Sequence, residues 1–154
     1  MRIAIGADHR GHASARSLAD RLTAEGHDVA VLGDLEGGSC DYPERAFVVG
    51  KAVAAKEADL GVLLCGTGIG MSIAANKVPG VRAAVAHDEL TAQLSRAHND
   101  ANVLCLSADL LGQRLIDQIV DVWIAAEFEG GRHARRVRKI EAIEKGEDPA
   151  GVSD

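Results

Sequence analysis

"DLGVLLCGTGIGMSIAANK", residues 59–77, decides the fold. Its first part, "DLGVLLC" (59–65), is apolar at successive positions, as a strand buried on both faces of a parallel sheet requires. Strict alternation would instead leave one face in water. Three glycines, Gly66, Gly68 and Gly70, then fall on alternate positions, and "MSIAANK" (71–77) reads as a short helix. Strand, glycine turn and helix form one unit of a doubly wound α/β domain.

The unit recurs on both sides. "RIAIGA" (2–7) is a strand, and after it "ASARSLADRLTAEG" sets Ala15, Leu18, Ala19 and Leu22 on one helical stripe that Gly26 stops. "DVAVLG" (28–33) is the second strand, and the loop "DLEGGSCDYPER" leads to a helix from Pro43 to about Glu57. Proline suits that first turn because its missing N–H is not needed there. Further along come a strand at "VRAAVA" (81–86), a helix over "DELTAQLSRAH" and a strand at "NVLCLS" (102–107). "LLGQRLIDQIVDVWIAAE" is an amphipathic helix with Leu111, Leu115, Ile119 and Trp123 at helical spacing, and a charged helix covers roughly 133–146. The pattern predicts a three-layer, Rossmann-like α/β fold, with helices on both faces of a five-stranded parallel sheet. Residues 1–146 are expected to form one domain and 147–154 a frayed tail.

Bulk properties narrow the function. The 154 residues are 47% hydrophobic and 26% charged, with a formal net charge of −6. An acidic chain lacks the net basic face with which general nucleic-acid binders displace counterions. No apolar run is long enough to span a bilayer, and "MRIAIGADHRG" turns polar too soon for a signal peptide. Cys40, Cys65 and Cys105 lie far apart, with no CxxC. That spacing points to reduced thiols in a cytoplasmic protein rather than a disulfide framework or a zinc site.

In doubly wound sheets ligands bind beyond the carboxyl ends of the strands. Three polar constellations fall there: "GADHRGH", "CGTGIG" and "HDE". The glycines of the second allow its amides to converge as an anion nest, backed by the positive end of the next helix. A dinucleotide fingerprint fails, because Met71 takes the place of the last glycine and the turn does not follow the first strand. Cys65 adjoins that nest, a setting that favours thiolate and so a nucleophile or a base. Cys105 reads as packing, Cys40 as a loop residue, and His12 as the exposed start of a helix. Asp8 and His9 fall at a strand end facing the cleft. "DH" and "HND" do not supply a convincing ligand set, so no metal is expected. In "GGRHARRVRK" (130–139), Arg132 and Arg136 share a helix face at a spacing that suits one phosphate, although a solvated helix face is the plain alternative.

"GADHRG", "DYP", "CGTGIGMSIAANK", "LSRAHNDAN" and "GGRHARRV" together resemble, in order and spacing, the ribose-5-phosphate isomerase B and galactose-6-phosphate isomerase family over about residues 1–145. The resemblance implies aldose–ketose isomerisation of a sugar phosphate through a cis-enediolate, with no metal or organic cofactor. It makes Cys65 the base that moves a proton between C1 and C2. The amides of Gly66, Thr67, Gly68, Ile69 and Gly70 become the oxyanion hole. His98 becomes the ring-opening acid/base, assisted by Asp8 and Thr67. His9, Arg132 and Arg136 would hold the phosphate and Asn99 the sugar hydroxyls. It also implies a homodimer or pair of dimers with shared sites, His98 of one copy facing the cysteine loop of the other. One departure stands out: Asp109 occupies the place of an arginine that holds phosphate in many relatives, with Arg114 or Arg135 as candidate replacements. A tetrose or hexose phosphate is therefore an alternative to ribose 5-phosphate. A non-catalytic sugar-phosphate binder and a thiol-dependent hydrolase are the rival classes.

Overall fold

The computed structural model describes residues 1–33, 35 and 38–153. Asp34, Glu36, Gly37 and Asp154 lie outside them, and with the first three goes part of the loop expected at "DLEGGSCDYPER".

Five parallel strands, β1 (Arg2–Ala7), β2 (Asp28–Val31), β3 (Leu60–Cys65), β4 (Ala83–Val85) and β5 (Val103–Ser107), make one sheet in the order β2-β1-β3-β5-β4. Between them run α1 (His12–Ala24), α2 (Tyr42–Ala54), α3 (Ile69–Ala75) and α4 (Glu89–Asn99), and α5 (Gln113–Ala125) and α6 (Arg132–Glu144) follow β5. A five-stranded α/β fold is what the sequence pattern predicts.

The central strands are buried on both faces, and their alternation sorts the helices into layers. Ile3, Ile5, Leu60, Val62, Leu64, Leu104 and Leu106 point to one face, where Leu18 and Leu22 of α1 meet Ile116, Ile119 and Trp123 of α5. Ala4, Leu63, Cys65, Val103 and Cys105 point to the other, against Val49 and Val53 of α2 and Met71 of α3. Gly6 and Gly61 let α2 approach closely: a Cβ on either would stand 2.8 Å from a methyl of Val49. The parity of β3 therefore aims Cys65 at the α2–α3 face.

Three differences from the sequence expectation have local causes. α3 starts at Ile69 rather than Met71, because Gly68 adopts a left-handed conformation (φ 78°, ψ −20°) and opens the helix there. β4 is only three residues long; the Arg82 amide before it donates to the Asn102 side chain at 2.8 Å. Where a frayed tail is expected, Pro149–Gly151 form a 3-10 turn capped by Asp148, and Arg138 reaches the Ser153 carbonyl at 3.4 Å. β4 lies at the sheet margin, where the side-chain amide of Asn76 donates to the Ala83 carbonyl and accepts from the Ala83 N–H, both at 2.8 Å.

Candidate active site

Cys65 ends β3, opposite Ser107 of β5. It is 4% exposed, and its Sγ accepts the N–H of Gly68 at 3.1 Å. That bond needs the turn to double back within three residues, which the positive φ of Gly68 permits. A Cβ at Gly68 would meet backbone carbons of Leu106 and Cys105 at 3.1 and 3.3 Å, so β5 closes the turn from beneath. Within the turn Ile69 N–H donates to Thr67 Oγ1 at 3.3 Å. Two of the five amides expected in an anion nest thus already serve side chains of the turn itself. Burial, reinforced by the neighbouring Cys65, pushes the Cys105 thiol far above its ordinary pKa, in keeping with a packing role.

The loop after β1 stands beside the sulfur. Asp8 is 6% exposed, and its Oδ1 accepts the N–H groups of Arg10 at 2.9 Å and Gly11 at 3.3 Å. Gly11 is required because a Cβ there would stand 2.7 Å from the Leu64 carbonyl oxygen. His9 is exposed and its Nδ1 donates to the Cys40 carbonyl at 3.3 Å. The Cys40 sulfur lies 3.8 Å from His12 Nε2 at the start of α1.

Arg10 and Tyr42 escaped the sequence reading. Arg10 forks onto Asp109, Nη2 to Oδ2 at 2.8 Å and Nε to both oxygens at 3.2 Å. The Asp109 carboxylate leans over Gly66, whose missing Cβ would stand 2.8 Å from Oδ2. The cation facing Asp109 therefore comes from the β1 loop. The Tyr42 ring covers Gly70, 2.7 Å from where a Cβ would be. "DYP" was the available signal for Tyr42; nothing local marked Arg10, because its partner is 99 residues away.

His98 and Asn99 sit elsewhere. α4 descends from the end of β4 and stops before β5 begins, which sets both residues at the amino edge of the sheet. Cys65 lies at the carboxyl edge, with the length of β5, about 13 Å at 3.3 Å per residue, between the two rims. The reversal after α4 is made by Asp100 (φ 46°), whose carboxylate takes Arg82 Nη2 at 2.7 Å and Arg96 Nη1 at 2.8 Å. Within "HNDAN", Asp100 and Asn102 are thus structural. Asn99 lines a hollow of about 570 Å³ with Asn76, Arg82, Ile140 and Ile143.

α6 packs on α4 and brings Arg132 and Arg136, both exposed, to the His98 side. Between them His133 is 5% exposed and stacks on His98, with ring centroids 4.1 Å apart and planes within 5°. Glu129 Oε2 lies 3.7 Å from Nε2 of His98 and 3.6 Å from Nε2 of His133. Burial, then the neighbouring His98 and Arg132, lower the pKa of His133 against the pull of Glu129. Among the described residues this trio could offer three donors to a cation. Parallel rings, however, carry lone pairs that run side by side, whereas one ion needs them to converge.

One chain therefore gathers the expected site residues into two groups. Cys65, Gly66, Thr67, Gly68, Ile69, Gly70, Asp8 and His9 share the carboxyl edge; His98, Asn99, Arg132 and Arg136 share the α4–α6 corner.

Comparison with known proteins accounts for nearly the whole chain. Residues 3–140 match the Ribose/Galactose Isomerase family model. Ribose-5-phosphate isomerase B of Escherichia coli is 46% identical, covering 94% of this chain and 97% of its own. The Clostridium thermocellum ribose-5-phosphate isomerase B structure superposes with a TM-score of 0.93 at 50% identity, covering 95% of this chain and 99% of that one. The Mycoplasma genitalium ribose-5-phosphate isomerase B, solved with bound ribulose-5-phosphate, superposes with a TM-score of 0.90 at 43% identity over 94% and 96% of the two chains. With family, sequence and fold in agreement from end to end, this chain belongs to the Ribose/Galactose Isomerase family of enzymes.

Proposed function

We propose that this isomerase interconverts ribose 5-phosphate and ribulose 5-phosphate with protein groups alone, needing neither metal nor organic cofactor. The observation that carries the reading is the Cys65 sulfur at the carboxyl edge, held by an amide of the glycine turn, in a family with a member that binds ribulose-5-phosphate.

Ring opening comes first. The C1–O4 bond breaks with its electron pair on O4, which takes a proton from His98, while O1 gives its proton to the Asp8 carboxylate and becomes a carbonyl oxygen. The Cys65 thiolate then removes the C2 proton, and the electrons move through the new C1–C2 double bond onto O1. Amides of Gly66, Thr67 and Gly70 meet that charge, and the Gly68 N–H steadies the sulfur. The O2 hydroxyl proton passes to O1, with Thr67 as the nearby relay, and the sulfur returns its proton to C1. Ketose results with the thiolate regenerated, and the proton left on Asp8 returns to His98 through solvent, which restores both groups for the next turnover.

His9, Arg132 and Arg136 hold the phosphate and Asn99 the hydroxyls, which demands that the two groups of residues meet. A single chain keeps them on opposite rims, so we place His98 of one copy against the Cys65 loop of another, in a homodimer or a pair of dimers. Ile69 and Ile73 on α3, Leu90 and Leu94 on α4, and Ile140 and Ile143 on α6 are exposed apolar residues that a second copy would cover. Residues 1–146 act as the single catalytic domain, and the free thiols suit a cytoplasmic setting. The Arg10–Asp109 pair favours including tetrose and hexose phosphates as the alternative substrates.

In deuterated water the protein should convert ribose 5-phosphate with label entering from solvent. Cys65→Ala should retain its fold and lose about 10³-fold or more in turnover. Near-normal rates in the folded variant would remove Cys65 from the chemistry.

A further inference from the structure

The structure assigns His133 and Glu129 as positioning residues for ring opening: the stacked His133 ring and the shared Glu129 carboxylate fix the plane of His98, and His133 ties that ring to Arg132. The inference rests on His98 being the ring-opening acid.

The geometry is specific. His98 is partly exposed at the end of a helix, where an imidazole by itself turns freely about two side-chain torsions. Here one face of its ring lies flat on His133 at 4.1 Å, and its Nε2 faces Glu129 at 3.7 Å. His133 is itself immobilised. It is buried in the first turn of α6, its N–H donates to the Gly130 carbonyl at 3.0 Å, and its Nε2 accepts from Arg132 Nε at 3.4 Å. A ring nitrogen that accepts belongs to a neutral imidazole, so His133 is not the acid. Glu129 is anchored from the other side, its N–H donating to the Ala97 carbonyl at 3.0 Å, one residue before His98. The guanidinium expected to grip phosphate and the imidazole expected to open the ring are thereby referred to one buried side chain. Misplacing a reacting group by about 1 Å costs about 10²-fold in rate, which is the size of effect this support protects.

Sugar chemistry supplies a test that a general loosening of the fold would not mimic. Ribose 5-phosphate closes a ring through O4. Ribulose 5-phosphate would need O5, which carries the phosphate, so the ketose is always open. Exchange of its C1 hydrogen with deuterated water thus needs Cys65 and the amides but no ring-opening acid. His133→Ala is expected to lower ribose 5-phosphate isomerisation about 10²-fold and to leave C1 exchange of saturating ribulose 5-phosphate within about two-fold. His133→Phe keeps a flat ring but loses the acceptor for Arg132; it should restore most of kcat while KM for ribose 5-phosphate stays raised. Glu129→Gln should resemble His133→Ala in the split between isomerisation and exchange. Isomerisation and exchange falling together, or neither changing, would overturn the assignment. If His133→Ala does not fold, His133→Phe decides: unchanged KM or a kcat as low as that of His98→Ala rejects it. Should the unaltered protein exchange no C1 hydrogen at all, the failure is that of the Cys65 reading beneath. Loss of isomerisation in Cys65→Ala with normal rates in His98→Ala rejects only the role given to His98.

Discussion

Gly68 carries its backbone at φ 78° with β5 carbons just over 3 Å from where a Cβ would be, and from that posture its N–H reaches the Cys65 sulfur. Gly68→Ala should cost about 1–2 kcal/mol for the left-handed angle alone, with more for displacing β5. A lower urea midpoint, together with lost turnover, is the expected outcome. This residue was readable beforehand because glycine spacing reports backbone demand directly. His133 was not, since a histidine inside an arginine-rich helix looks solvated until its neighbour's ring is found on it. Its lowered pKa has a consequence for stability. An unfolded histidine titrates near about 6.5, so as pH falls through that value the unfolded chain takes up a proton that folded His133 declines. Stability attributable to this group is therefore present above about pH 6.5 and declines toward its lower folded value. His98, Glu129, Arg132 and Arg136 are the charged or titratable groups around it. Urea midpoints measured from pH 7 to 5 should fall less steeply in His133→Phe; identical slopes would show that His133 does not titrate differently on folding.

The strand and helix units were readable because a parallel sheet writes continuous apolar runs and its helices write stripes. Ala15, Leu18, Ala19 and Leu22 are all buried, as their spacing predicts. What connects units across the chain was not readable, and the Arg10–Asp109 fork is the clearest case. It joins the loop after β1 to the segment after β5, directly over the glycine turn. Both side chains are well exposed, so water and salt screen the pair and it adds little to stability. Its electrostatic effect on a dianionic substrate is the larger one. Arg10→Leu should leave the melting temperature nearly unchanged and raise KM for the sugar phosphate about ten-fold, a difference of about 1.4 kcal/mol in binding. Asp109→Asn, which keeps Arg10 and removes the repelling charge, should move KM the other way. An unchanged KM in Arg10→Leu would place the fork outside the binding cleft.

For the whole molecule, α4 is the decisive element, because it delivers His98 to the rim opposite Cys65. No sequence pattern states such a separation; it follows from sheet order and helix direction once both are known. Mixing inactive Cys65→Ala and His98→Ala chains should then restore activity, as each mixed dimer regains one intact site. Random exchange predicts about a quarter of the unaltered activity, and no recovery would show that each chain works alone. The apolar residues exposed on α3, α4 and α6 mark where such copies would meet. Asn76 shapes that meeting too. By taking up both backbone groups of Ala83, its amide stands in for a neighbouring strand at the open margin of the sheet. With those two groups taken, that margin offers less to the ribbon-like stacking that builds fibrils. Asn76→Ala should bare both backbone groups of Ala83 and raise the tendency to aggregate, which light scattering on heating would read.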